Sequence, residues 1–209
     1  MSEARSNRTS VYVDGFNLYY GALRGTPYRW LDIPALCRTI FPHNHIDRIR
    51  YFTALASSRP NDPNVTVRQQ TYLRALATCP EVSIHYGHFL QSNVTMPSVT
   101  PPPRYVNVIK TEEKGSDVNL ASHLLMDCFR GDFDVAIVIS NDSDLITPLR
   151  MVRDMGRPVG LLNPHRMPAR KLKEVATFYR PIRESALKAS QFPVTLKDAH
   201  GAITRPKGW

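Results

Sequence analysis

No stretch of this 209-residue sequence approaches the ~20 consecutive apolar residues of a membrane-spanning helix, so none of it reads as a bilayer anchor. The first ten residues, MSEARSNRTS, are polar and lack the apolar core of a secretory signal. Only three cysteines occur, Cys37, Cys79 and Cys128, widely spaced and odd in number. That count argues against a disulfide framework or a zinc site and fits reduced, mostly buried thiols in a cytoplasmic protein. Histidines form no metal cluster either. His85 and His88, three residues apart on one expected strand, point to opposite faces. Internal repeats are absent, and so is any acidic excess: the net charge is +9.

What is present divides unevenly. Residues 1–149 balance Lys/Arg against Asp/Glu, whereas residues 150–209 hold 13 Lys/Arg against 4 Asp/Glu and so carry the whole surplus. A neutral part with acid clusters joined to a basic part suits a polyanionic substrate. A solvated basic surface with no partner would give the same count.

The stretch DVAIVISNDSDLITP, residues 134–148, organises the chain. Its β-branched run Val135–Ile139 reads as a central strand of a parallel sheet, ending at Asp142 and Asp144. Two carboxylates at that point call for a cation between them, or else they cap and complement the helix that follows. An earlier strand, Ser10–Val13, ends in the same way at Asp14, with Gly15 allowing a tight turn into a helix over residues 16–23. Asn17 lies one helical turn from Asp14. A third acid, Asp117, shares the apolar face of a helix starting near Ser116 with Leu120, Ala121, Leu124, Leu125 and Cys128. Either that helix's own amides satisfy it or it faces a metal. Glu113 stands just upstream as an outer partner.

The remaining pattern alternates helices and strands. Helices are expected over Ile33–Phe41, capped by Asp32, and from Asp62-Pro63 to about Thr78. Strands are expected over Arg48–Leu55, Val82–Leu90, Pro158–Leu162 and Phe178–Ile182, a strand or hairpin arm over Arg104–Lys110, and helices from Asp144 to about Met155 and over Ala169–Ala176. Gln91–Pro103, polar and proline-rich, reads as an exposed loop. This order gives an α/β fold with a mostly parallel central sheet flanked by helices. The expected division is a flexible N-terminus at 1–9, one domain over 10–184, and a basic C-terminal tail at 185–209. An exposed edge strand leaves room for a homodimer.

In such a sheet ligands bind at the carboxyl ends of the strands. Asp14, Asp117, Asp142 and Asp144 converging there, without a His/Cys cluster, suit a hard cation, Mg2+ or Mn2+. With the basic part nearby, the chemistry this serves is phosphodiester hydrolysis, the metal lowering the pKa of a water and neutralising the phosphate. Asn17 would steer a water or a phosphate oxygen. Lys114, Arg166, Arg170 and Lys171 are the candidates for contacting substrate phosphates.

The segments VYVDGFNLYY, EKGSDVNLASHLL and DVAIVISNDSDLITPL, in this order and spacing, resemble the NYN domain family of PIN-like ribonucleases over roughly residues 10–165. The resemblance implies a three-layer PIN-like Rossmannoid fold, a Mg2+- or Mn2+-dependent acidic site and, for several members, RNA cleavage. It places Asp14, Asn17, Asp117, Asp142 and Asp144 at the family's acidic and asparagine positions. Where many members have glycine before the last acidic pair, this chain has Asn141; where valine often precedes the aspartate of the second motif, it has Ser116. The expectation is a metal-dependent ribonuclease. Its alternatives are an RNA-binding module without turnover and a phosphatase-type α/β enzyme. A haloacid-dehalogenase-like phosphatase wants an aspartate two residues after Asp14, and that position is Phe16.

Overall fold

A computed structural model describes residues 7–58 and 62–209. Six strands form one parallel sheet: β1 (Arg8–Asp14), β2 (His45–Thr53), β3 (Val82–Tyr86), β6 (Val135–Ile139), β7 (Val159–Asn163) and β8 (Phe178–Pro181), in the order β3-β2-β1-β6-β7-β8. The chain therefore winds outward twice from the centre, first from β1 to β3 and then from β6 to β8. The carboxyl ends of β1 and β6 flank the switch point, where an open α/β sheet leaves a crevice. Both fall where the apolar runs placed them.

Successive residues of the central strands face opposite sides, and the core divides accordingly. Val11, Val13, Ile137 and Ile139 pack with helices α2 (Ile33–Ile40) and α3 (Val65–Leu76). Tyr12, Ala136 and Val138 pack with α4 (Ser116–Arg130), α5 (Ile146–Asp154) and α6 (Arg170–Val175). These are the three layers expected of a PIN-like fold. Asp32 caps α2 by accepting from the Ala35 N–H at 2.8 Å, with Pro34 in the first turn, where its missing N–H costs nothing.

Beneath the sheet, α4 delivers one charged group to the core. Asp127, 1% exposed, accepts from the Tyr12 hydroxyl at 2.8 Å and from Arg50 Nε and Nη2 at 2.8 and 2.9 Å. Burial alone would push this carboxyl up; the hydrogen bonds from Arg50 and Tyr12 outweigh it and hold it below its ordinary value.

Two expectations are corrected. The strand expected over Val82–Leu90 divides at Gly87, and the loop expected over Gln91–Pro103 is mostly strand. β4 (His88–Pro97) leaves the sheet and pairs antiparallel with β5 (Tyr105–Lys114) in a ribbon of its own, leaving only 98–104 as its tip. The chain crosses itself at the division. A Cβ at position 87 would lie 2.4 Å from Glu113 Oε1 and 2.6 Å from the Lys114 carbonyl, so only glycine fits. A two-stranded ribbon exposed on both faces needs no alternating apolar pattern, and the polar run of β4 hid it.

The second correction concerns the end of the chain. Beyond Glu184, where a basic tail was expected, residues fold into α7 (Glu184–Ala189) and the hairpin β9 (Thr195–Asp198) and β10 (Gly201–Thr204). Leu187, Phe192 and Ile203 join the first core, and Arg74 of α3 holds both oxygens of Asp198 through Nε and Nη2. Of the expected flexible start, residues 1–6 lie outside the described residues, as do 59–61 of the polar connection, while Arg8 and Thr9 open β1. Among the described residues no helix is long and apolar enough to cross a membrane.

Candidate active site

Three segments far apart in sequence meet at the switch point. β1 ends at Asp14, 5% exposed, whose Oδ1 accepts from the Asn17 N–H at 2.9 Å and so caps the short helix α1 (Gly15–Leu18). That helix continues as a π-helical turn, Tyr19–Leu23, closed by the Arg24 N–H on the Tyr19 carbonyl. After β6 the buried Ser140 donates its hydroxyl to Asp14 Oδ2 at 2.9 Å and accepts the Asp142 N–H at 3.0 Å. Asn17 Oδ1 accepts the Asn141 N–H at 2.9 Å, so the end of Asn17 left to meet a ligand is its NH2. Two strand ends are thereby locked in register through side chains.

The helix α4 brings the third segment. Glu113 Oε1 accepts from Ser116 N–H and Oγ, at 3.1 and 2.8 Å, and so serves the helix start. That leaves Asp117 to face the cleft. Burial raises the Asp117 carboxyl to about 6, helped by the charges of Asp14, Asp142, Glu113 and Asp144. Asp14 is likewise raised, chiefly by burial against the opposing hydrogen bonds from Asn17 and Ser140. The carboxylates thus form one repelling set, and an all-oxygen set of this kind suits a hard divalent cation. Among the described residues no three of these side chains close into a ligand shell as they stand. Capping also proves part of the picture, since Asp142 Oδ1 accepts the Asp144 N–H at 2.9 Å.

Asp14, Asn17, Glu113, Asp117 and Asp142 line one cleft of about 600 Å³. Asp144 is not among the lining residues, although Asp117 feels its charge. The expected phosphate contacts are not among the lining residues. Lys114 pairs with Glu112 and Arg170 with Glu174, while Arg166 and Lys171 are exposed elsewhere. The cleft's cationic side chains come instead from the N-terminal part: Arg24, Arg29 and Arg68, the last paired with Asp62. His165 also lines it, its ring filling the space left by Gly21, where a Cβ would lie 2.5 Å from the imidazole. Sequence reading passed over these groups because each sits inside an otherwise unremarked helix or loop. Ser140 carried the one available signal, a polar residue between a buried strand and its terminal acids.

Asn141, read as a mild departure from the family pattern, has a distinct task. Its side chain donates to the Met167 carbonyl at 3.1 Å and accepts the Ala169 N–H at 2.7 Å, tying the loop that carries His165 to the site. Replacing it by glycine removes both bonds, worth about 1 kcal/mol each. Asn141→Gly is therefore expected to speed hydrogen exchange at the Ala169 amide at least tenfold; unchanged exchange would show that the loop is held by other means.

A doubly wound parallel sheet with an acidic cleft at its switch point defines a PIN-like domain. The NYN domain model matches residues 8–183, and the chain belongs to that family. Among curated proteins it is similar to the 6-hydroxy-3-succinoylpyridine 3-monooxygenase HspA of Pseudomonas putida (strain DSM 28022 / S16). The two are 34% identical over 174 residues, covering 70% of this chain and 55% of that protein, so the chain spans about half the length of this relative. Among solved structures it resembles a protein of unknown function from Vibrio parahaemolyticus RIMD 2210633, with a TM-score of 0.59 and 16% identity over 92% of this chain and all of the other; that likeness concerns the fold.

Proposed function

We propose that this protein is a metal-dependent ribonuclease that hydrolyses RNA phosphodiester bonds in the cleft at the β1/β6 switch point. One observation carries the reading: Asp14, Asp117 and Asp142 line the same cleft, where burial, helped by the neighbouring carboxylates, raises Asp117 to about 6. Asp14, Asp117, Asp142 and Asp144 would hold Mg2+ or Mn2+, which supplies an activated water and neutralises charge on the phosphate. The chain's own groups do the rest. Ser140 and the Asn17 amide aim the Asp14 carboxylate. The Asn17 NH2 offers a donor to a phosphate oxygen. Arg24 and Arg29 attract the flanking phosphates by charge, as guanidinium groups do in nucleic-acid grooves.

Labelled RNA incubated with the protein and Mn2+ or Mg2+ is expected to be cleaved, and EDTA to stop it. Salt-sensitive binding with no cleavage under any metal would establish instead an RNA-binding module on the same fold.

The arginine and ring side chains of the cleft favour a second reading, a small aromatic acid as ligand, the kind of molecule named for the Pseudomonas relative. Saturable binding of nicotinate in the cleft, without RNA binding, would support it.

A further inference from the structure

Rings and arginines line the cleft along with the acids. Tyr20, 51% exposed, stands on the π-helical turn with the Arg24 guanidinium 5.5 Å from its ring centre. Trp209 stands beside Arg29, at 5.9 Å. All four line the cleft together with Asp14 and Asp117.

Trp209 lies outside the family match, yet it is held by much of the fold. Its indole meets Tyr72 at 5.8 Å and the fully buried Trp30 at 6.5 Å. Arg29 donates to the Gly208 carbonyl, and the Trp209 N–H donates to the Pro206 carbonyl at 3.3 Å. The hairpin β9–β10 delivers this segment, anchored by the Arg74–Asp198 pair and by the Trp30 Nε1–H on the Pro193 carbonyl at 2.8 Å. A ring positioned this firmly, only partly covered and flanked by a guanidinium, presents a stacking face beside a phosphate-binding charge.

We propose that Tyr20 and Trp209, each with its arginine, form a base-stacking subsite that admits an unpaired nucleotide of single-stranded RNA next to the acidic edge. A base inside a duplex has both faces covered by its neighbours and cannot enter; a base in a single strand or loop can be splayed out onto a ring. This subsite rests on the reading of the cleft as an RNA site, and it makes the segment that follows the family domain a determinant of substrate choice.

The chain has two tryptophans, and Trp30 is sealed from solvent, so Trp209 is a built-in reporter. In EDTA, an oligouridylate is expected to quench tryptophan fluorescence to saturation, while a duplex of equal length quenches little. Trp209→Leu keeps apolar bulk against Trp30 and Tyr72 and is expected to weaken oligouridylate binding about tenfold, read by anisotropy of a labelled strand. Trp209→Phe restores binding to within about threefold. Equal affinity of wild type and Trp209→Leu overturns the proposal, as does equal quenching by duplex, or quenching by nicotinate alone. Loss of cleavage would not mimic failure here. Trp209-dependent binding without turnover sustains the subsite while removing the nuclease, and cleavage with Trp209-independent binding does the reverse.

Discussion

Asp117→Asn is expected to abolish metal-dependent cleavage, by 100-fold or more, while raising the melting temperature of the metal-free protein. The two effects have one origin. Burial and four neighbouring acids raise the Asp117 carboxyl to about 6, so its ionised form at neutral pH opposes the folded state. Asparagine keeps the shape and removes the charge. After allowance for screening at a half-exposed group, the gain is about 1 kcal/mol, or about 2–4 °C. The pH dependence follows from the direction of the shift. Where the folded-state carboxyl is raised, its favourable contribution is full below the unfolded value and is lost as pH rises through about 6. Wild type and variant should therefore melt alike near pH 4 in EDTA and separate as pH approaches 7. Mn2+ should then stabilise wild type and leave the variant almost unmoved. Melting curves in EDTA and Mn2+, beside a cleavage assay, test both halves. A variant that still cleaves within a few-fold of wild type removes Asp117 from the machinery; one that melts lower shows that its charge is already compensated in the fold.

Asp127→Ala is expected to be the most destabilising single change outside the apolar core. Arg50, 15% exposed, would be left as an unpaired guanidinium under the sheet, and the Tyr12 hydroxyl would lose its acceptor. Breaking one side of a buried ion pair costs about 3–5 kcal/mol, which in a chain of this size lowers the melting temperature by about 10 °C. The double change Asp127→Leu with Arg50→Met removes both charges together and should recover most of that loss. Thermal melting of the three proteins decides. A single variant within about 1 kcal/mol of wild type would mean that water reaches Arg50 and the pair is not a buried one.

The parts of the fold visible in the sequence were those with local physical signatures. Val135–Ile139 is bounded by polar residues and forms β6 over the same five positions. Asp32-Ile33-Pro34 announces a capped helix and makes one. Asp14 and Asp142 stand where apolar runs stop, and that placement brought them to the cleft. What escaped depends on distant partners. The ribbon β4–β5 is held by its own ladder and by the Phe16–Phe89 contact at 5.8 Å, neither of which leaves an apolar rhythm. The hairpin β9–β10 is short, and its hold on α3 through Arg74 spans 124 positions. Charge counting pointed to the basic residues 150–209, whereas the cleft's arginines lie at 24, 29 and 68. Net charge describes a surface; only the folding of the π-helical turn and the Pro206–Trp209 segment sets charge against ring.

The lock between Asp14 and Ser140 also orders events during synthesis. These two residues are 126 positions apart, and Arg29 and Gly208 are 179 apart. Such contacts close late, after the local turns and helices, because loop closure must precede their reward. A nascent chain emerging from its ribosome can build β1 to β3 with their helices, yet the Asp14 carboxylate has no aiming hydroxyl until β6 has been made, and the ring wall stays open until the last residue described is free. The cleft is thus assembled only once β6 and the segment ending at Trp209 have both been made, so its acids and its rings stay apart while the chain between them is still being synthesised.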